Sequence, residues 1–351
     1  MRSKGDIPAF KVWFAFVALF TSIVFSSCKK MTPQPEGGGD DEAILYPYRL
    51  NNVLQDQSTL MPRSVFIDSK QNKWITYKTK SGLTGIIRFD GNTGDVFPNP
   101  STPLPIQFSS SVTAHAEDAN GAIYFTSNSG DFFNYRLYRF HEGSWSYWTV
   151  SGVPCRELYF NTADEKLYFV YLDEVHRIST TADFTNAANY EKLIFELPGD
   201  PFIIQSSFDG KEIHLLSNDR YYVINPQAEV VFYTTKFNEI SFDYIYAADT
   251  SASIFALGGP SRQHLYKLHE GRWARYPLSN MSLSSITVDH DDIIYVNAAE
   301  PDYSVGRYQE GSITFFSYGD DKKRVISSAP VVIDNRNVKW AAVSDGIVRL
   351  P

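Results

Sequence analysis

The stretch "VVIDNRNVKW" is the last of seven segments built on one plan. The others are "FIDSKQNKW", "HAEDANGAIY", "YFNTADEKLY", "SSFDGKEIH", "YAADTSASIF" and "ITVDHDDIIY". Each begins with apolar residues in alternation, passes through a polar turn and reaches an aromatic residue or His that opens a second strand. The anchor pairs are Asp68 and Trp74, Asp118 and Tyr124, Thr162 and Tyr168, Phe208 and His214, Asp249 and Phe255, Asp289 and Tyr295, and Asp334 and Trp340, each separated by six positions. Successive copies lie about 44 residues apart on average, a period shared by four-stranded propeller blades and some helical solenoids. The apolar spacing decides between them, because it is two, the period of a strand, and not the roughly 3.6 of a helix.

A third strand recurs as "GIIRF", "RLYRF", "EVHRI", "RYYVI", "HLYKL", "VGRYQ" and "GIVRL", and a fourth as "DVF", "SWSYW", "EKLIF", "EVVFY", "RWARY" and "SITFF". The seventh copy has no fourth strand of its own. The segment "AILYPYRL", from Ala43 to Leu50, precedes the first copy and belongs to no complete blade. As the outermost strand of the last blade it would join the two ends of the ring and cover a sheet edge open to association. Pro47 suits such an edge, where a missing N–H is tolerated. The expected fold is all-β: a seven-bladed β-propeller of four-stranded antiparallel blades over 43–351, closed by an N-terminal strand that completes the last blade.

The pattern is clearest in "VFIDSKQNKWIT" followed by "GIIRFDG", and in "VVIDNRNVKWAAVSDGIVRL", where it resembles the two-component-regulator propeller repeat. The turn Gly of that repeat is replaced by Asn72, Asp292 or Asn337 in several copies. The resemblance covers Ser64 to Pro351 and implies an extracellular sensing body like those of membrane kinases in gut and environmental Bacteroidetes. No kinase region accompanies it in this chain.

The first 27 residues read as a secretory signal, with a basic start, an apolar run from Val12 to Phe25 and small residues before Cys28. The run is shorter than the roughly 20 residues a membrane-crossing helix needs. "FSSC" is similar to the lipobox of bacterial lipoproteins, which implies acylation of Cys28 and anchoring in the bacterial outer membrane, on either its periplasmic or its outer side. Residues 28–42, "CKKMTPQPEGGGDDE", are polar and rich in Pro and Gly, and read as a flexible tether. A lipidated Cys28 leaves Cys155 without a disulfide partner, so stability rests on core burial. A net charge of −8 argues against nucleic acid as a partner. The body is expected to be a monomer.

The repeated Asp-to-aromatic pairs look like sites but read as structure: an Asp caps its own turn, and the aromatic fills the space between blades. His141 and His269, each followed by Glu-Gly, recur as Gln309-Glu310-Gly311 in a third copy. They therefore belong to turns of separate blades and cannot converge on one ion, so neither a metal nor a cofactor is expected. No P-loop, GxSxG, HExxH or CxxC pattern occurs. "DSKQNKW" only loosely echoes a sialidase turn, and "VGRYQEGSITFF" is similar to the repeat of virginiamycin-type lyases over a single blade. No catalytic residue is assigned.

Propeller ligands are expected at the end formed by the loops joining second to third strands and each blade to the next. Those loops bring up Phe132, Phe133, Tyr135, Tyr171 and Tyr303 as a stacking platform, with Arg220, Arg262, Asp302 and Lys80 as polar contacts. The competing arrangement folds these aromatics back onto neighbouring blades. Two functions follow. One is a non-catalytic envelope lipoprotein that binds a glycan or another envelope protein at this end. The other is a hydrolase or lyase acting on an extracellular saccharide through carboxylates such as Asp173, Glu174, Asp219 or Asp302.

Overall fold

The computed structural model describes residues 43–48, 60–79, 82, 84–97, 112–128, 132–172, 174–199, 203–208, 211–217, 220–234, 242–247, 254–259, 262–269, 272–276, 281–299, 303–309 and 311–351. The chain divides into two units, Met1–Asp41 and Glu42–Pro351, and every described residue belongs to the second. The expected leader and tether, with Cys28, lie outside the described residues.

Among the described residues β1 (Ile44–Pro47) comes first, and one antiparallel meander after another follows. Blade 1 holds β2 (Met61–Ile67), β3 (Lys73–Lys78), β4 (Thr84–Phe89) and β5 (Gly94–Phe97). Blade 2 holds β6 (Val112–Glu117), β7 (Ile123–Asn128), β8 (Asn134–His141) and β9 (Ser144–Ser151). Blade 3 holds β10 (Glu157–Asn161), β11 (Lys166–Tyr171), β12 (Glu174–Ser179) and β13 (Glu191–Leu193). Blade 4 holds β14 (Ile203–Phe208), β15 (Ile213–Ser217), β16 (Tyr221–Ile224) and β17 (Val230–Tyr233). Blade 5 holds β18 (Phe242–Ala247), β19 (Ile254–Gly258), β20 (His264–His269) and β21 (Arg272–Tyr276). Blade 6 holds β22 (Leu283–Val288), β23 (Ile294–Ala298), β24 (Val305–Gln309) and β25 (Ser312–Phe315). A small hairpin, β26 (Ser317–Tyr318) and β27 (Lys323–Arg324), separates it from blade 7, which runs β28 (Val332–Ile333), β29 (Lys339–Ala342), β30 (Gly346–Leu350) and then β1. First strands of neighbouring blades lie side by side, β6 with β10, β10 with β14, β14 with β18 and β18 with β22, while β2 meets β28 across the closure.

Burial explains why these runs accept so many apolar residues. Middle strands have a neighbouring blade on each face, so β15, β16 and β23 are buried at every residue. Outer strands meet water, and β9, β17, β21 and β25 are mostly exposed or half-buried. The buried apolar side chains of the described residues form seven clusters, one at each interface between consecutive blades. One of them joins Trp74 and Ile86 of blade 1 to Phe125, Tyr138 and Phe140 of blade 2.

The anchor pairs that begin with Asp68, Asp118 and Asp334 are structural, as the sequence suggested, while Asp249 lies outside the described residues. Asp68 Oδ1 accepts the Asn72 amide and its Oδ2 accepts the Trp74 indole N–H at 2.9 Å. Asp334 takes the amides of Arg336 and Val338 on one oxygen and the Trp340 indole, at 3.2 Å, on the other. Asp118 does the same with Asn120, Ala122 and the Tyr124 hydroxyl. In blade 3 the work falls not to Thr162 but to its neighbours: Asn161 accepts the Ala163 amide, and Asp164 accepts the Tyr168 hydroxyl at 2.7 Å. The left-handed turn position lies three residues after the anchor, at Gln71, Gly121, Glu165, Asp292 and Asn337. In blade 1 that places the replacement of the turn Gly at Gln71 and not at Asn72.

Closure follows the expected route. β1 pairs antiparallel with β30, Ile44 opposite Arg349 and Pro47 opposite Gly346. Tyr48 is 1% exposed, donates its hydroxyl to Val343 O at 3.1 Å and packs edge-on against Phe89 of blade 1. Lys73 of blade 1 lies 4.2 Å over the Trp340 ring of blade 7, a second tie across the seam.

Candidate functional site

In an antiparallel four-stranded meander, the connections from second to third strand and from each blade to the next fall at the same end of the ring. The first strands start there, and five of them start with a β-bulge. The extra residues are Arg63, Thr113, Ile204, Asp243 and Ser284, each standing without a partner between paired neighbours. In blade 3 the equivalent place belongs to Arg156, whose amide donates to Val170 O at 2.9 Å. A bulge turns a side chain out of the ladder, and Arg63 and Arg156 are both exposed at this mouth.

The proposed stacking platform splits. Phe132 and Phe133 contact Tyr171 of the next blade, with ring centroids 5.3 and 5.7 Å apart. Their carbonyls accept the amides of Cys155 and Gly152, which fixes the loop. Phe133 remains 46% exposed. The aromatics thus lean on the neighbouring blade, as in the competing arrangement, while Phe133 keeps a face to solvent. Tyr135 does not join them. It is 3% exposed and stacks on Phe169 in the core between blades 2 and 3, where burial raises its pKa well above the usual phenol range. Its place in β8, two residues before buried Leu137, is the period-two signal that marks it as core. Cys155, in the same cluster, is a buried free thiol.

The polar candidates act first as clips. Arg220 donates to Pro198 O at 2.6 Å, holding the connection between blades 3 and 4. Arg262, with φ of 55°, donates to the carbonyl of the bulge residue Ser284 at 3.3 Å. Tyr303, with φ of 49°, accepts the Ser327 amide at 3.0 Å. Asp302 and Lys80 lie outside the described residues.

The Arg262 and Tyr303 contacts belong to a continuous arc from blade 5 round to blade 1 that sequence reasoning did not foresee. Ser284 Oγ donates to Asn297 O and Ala298 O, and Ser285 Oγ to Asn297 Oδ1. Asn297 Nδ2 in turn donates to Ser327 O at 3.0 Å and Ala329 O at 2.8 Å. Ser328 Oγ completes the arc by donating to Pro62 O, next to Arg63. The end of the ring thus carries an aromatic pair of loops on blades 2 and 3 and, from blade 5 to blade 1, an arc of Ser and Asn side chains that hydrogen-bond to one another's backbone and hold the connections together.

Of the carboxylates considered for catalysis, Asp173, Asp219 and Asp302 lie outside the described residues. Glu174 accepts from Lys192 at 2.5 Å and meets His176 at 3.2 Å. Partial burial alone would raise its pKa, but these two partners outweigh it and hold it below the ordinary value. Glu174 is thus held in an ion pair with Lys192. Glu157, next to Arg156 at the mouth, behaves oppositely: burial pushes its pKa up to about 7. A raised pKa contributes stability that is present below the unfolded value and lost as pH rises through the folded one. Glu157→Gln is therefore expected to match the parent near pH 4 and to exceed it by about 1–2 kcal/mol at pH 8. Urea denaturation at the two pH values measures this, and a constant difference would show that Glu157 is not buried as a neutral acid.

No protein-family model matches the sequence, and neither does any curated protein. Solved structures do. The extracellular domain of a hybrid two-component system from B. thetaiotaomicron matches with a TM-score of 0.57 at 11% identity over 87% of this chain and 40% of its own. A second such domain from the same organism gives 0.54 at 14% identity, over 88% and 41%. YCF48 from Cyanidioschyzon merolae gives 0.59 at 12% identity, over 88% and 98%. The chain spans about two fifths of the length of the Bacteroides domains. At these identities the likeness carries the β-propeller fold.

Proposed function

We propose that this chain is a non-catalytic envelope lipoprotein, acylated on Cys28, whose propeller binds a glycan or another envelope protein at the end that carries Phe133. The observation behind this reading is the exposed Phe133 ring seated on Tyr171 across two blades, because an aromatic face held by its neighbours binds at little conformational cost. The extracellular placement of the Bacteroides domains supports an extracytoplasmic setting. The signal and "FSSC" support attachment to the outer membrane.

The test uses the full chain in detergent, screened against a glycan array and used to capture proteins from envelope extracts. Phe133→Ala and Tyr171→Ala are expected to weaken whatever is bound at least tenfold, roughly 1.4 kcal/mol, with little change in melting temperature for Phe133→Ala. Binding that survives both substitutions would move the site elsewhere. Release of new reducing ends from a bound polysaccharide would replace the binding reading with the enzymatic one.

A further inference from the structure

The chain enters the propeller at a fixed place. Ala43 is 3% exposed and bridges Tyr318 of the β26–β27 hairpin, and the next four residues pair with β30. The hairpin is itself pinned to blade 7, because the Tyr318 hydroxyl and the Lys323 ammonium both reach Asp345, at 3.3 and 3.1 Å. Whatever precedes Ala43 is therefore rooted at the outer rim, where blade 6 gives way to blade 7.

The Phe133–Tyr171 pair lies between blades 2 and 3. From the boundary of blades 6 and 7 that is three blades one way round and four the other, as far as a ring of seven permits. The two places also belong to opposite ends of the strands. Phe133 and Tyr171 sit at connections from second to third strands, whereas a fourth strand begins at the other end, and Ile44 accordingly stands opposite Arg349, near the end of β30. Strands about 4.8 Å apart make a blade roughly 14 Å deep, so a path from the rim of blade 7 to the Phe133 loop, halfway into blade 2, exceeds about 20 Å before the central channel is added.

Surface chemistry divides the ring in the same way. Phe133, Tyr147, Ile194, Val231, Phe232 and Tyr233, six of the seven exposed large apolar side chains among the described residues, stand on or beside blades 2 to 4. The hairpin at the root instead presents Asp320, Asp321, Lys322 and Lys323, all exposed.

We infer that the anchor holds the root side of the ring toward the bilayer and turns the Phe133–Tyr171 side to the aqueous phase, where it meets a partner that arrives from solution and not one embedded in the same membrane. The inference rests on the reading that Cys28 is acylated and that the Phe133 end binds. From Cys28 to Glu42 the tether has 15 residues, and the coil its composition implies has a typical end-to-end distance of about 20 Å. Laying Phe133 on the bilayer lifts the root by more than that and stretches the tether. With the root side down the tether keeps its typical length, and charged side chains meet the headgroups.

The test places the acylated full chain on vesicles of phosphatidylethanolamine and phosphatidylglycerol that carry a rhodamine headgroup acceptor. A fluorescein donor is attached at Asp321→Cys, beside the root, or at Ser151→Cys, whose ladder partner Asn134 follows Phe133. Both positions are exposed, and Cys155 is buried and stays unlabelled. Energy transfer is expected to be at least twofold greater from position 321 than from position 151. Equal transfer overturns the inference, and greater transfer from 151 replaces it with an apolar side of blades 2 to 4 that lies on the bilayer. The Cys28→Ser chain is expected to leave the vesicles; if it stays bound, the acylation reading falls and the orientation with it. An acylated chain with no difference between the two positions ends the orientation alone. A twofold difference with nothing captured in the glycan and envelope screens ends the binding reading and keeps the orientation. Melting temperatures of the two cysteine variants that match the parent's show that each reports on the native ring.

Discussion

A chain that begins at Asn51 is expected to melt at least about 10 °C below the full chain and to self-associate. The cut removes β1 and with it the outer partner of β30, whose pairing runs from Ile44–Arg349 to Pro47–Gly346. It also removes Tyr48, which fills the seam between blades 7 and 1 and hydrogen-bonds Val343. Deleting a buried aromatic costs about 3–5 kcal/mol, and a partly buried apolar side chain such as Leu45 about 1 kcal/mol more. Tyr46 adds its tilted contact with Trp340 at 5.6 Å. A loss of about 5 kcal/mol is comparable to the whole stability of a marginal domain, about 5–15 kcal/mol. Removing residues 29–41 alone leaves every one of these contacts in place and is expected to leave the melting temperature nearly unchanged. Calorimetry and sedimentation on the two truncations read the difference. A monomeric chain from Asn51 with the parent's melting temperature would mean that β1 is ornamental.

Much of the fold was legible because a propeller writes itself seven times. Period-two apolar runs and one fixed Asp-to-aromatic spacing gave blade count, strand order and the role of the N-terminal strand. Legibility failed where a copy changes its chemistry. In blade 4 the anchor is replaced by a buried contact between His214 and the Tyr221 hydroxyl, at 2.5 Å, with Phe208 where others have an acid. In blade 3 Asn161 and Asp164 divide the task given to Thr162. The candidate site was less legible. Phe132, Phe133 and Tyr171 came from loop position and did meet, whereas the arc through Asn297, Ser327 and Ser328 depends on a long connection between blades 6 and 7 outside the repeat. The bulges left no local signal at all: no Gly stands at Arg63 or Ser284, and a bulge is a property of the ladder between two strands.

The second large effect concerns Asp289, which is fully buried and 2.8 Å from Lys339 across the interface of blades 6 and 7. Its other oxygen accepts the amides of Asp291 and Ile293, which hold a turn whose Asp292 sits at φ of 61°. Lys339 lies over the Tyr295 ring with only 13% of its side chain exposed; that burial lowers its pKa, but Asp289 more than offsets this and raises it. Asp289→Ala removes the acceptor of two amides and strands a nearly buried cation, so a loss of about 3–5 kcal/mol in urea denaturation is expected. Asp289→Asn separates the two causes, because its carbonyl still accepts from the turn while the cation loses its counter-charge. Adding Lys339→Met to Asp289→Ala is expected to return about 1–2 kcal/mol, since the stranded charge goes while the unsatisfied turn remains. If Asp289→Asn is as stable as the parent, the turn alone accounts for the residue and the ion pair between the blades is energetically idle. If the added methionine returns nothing, Lys339 escapes to water when its partner goes, and the seam between blades 6 and 7 is looser than its burial implies.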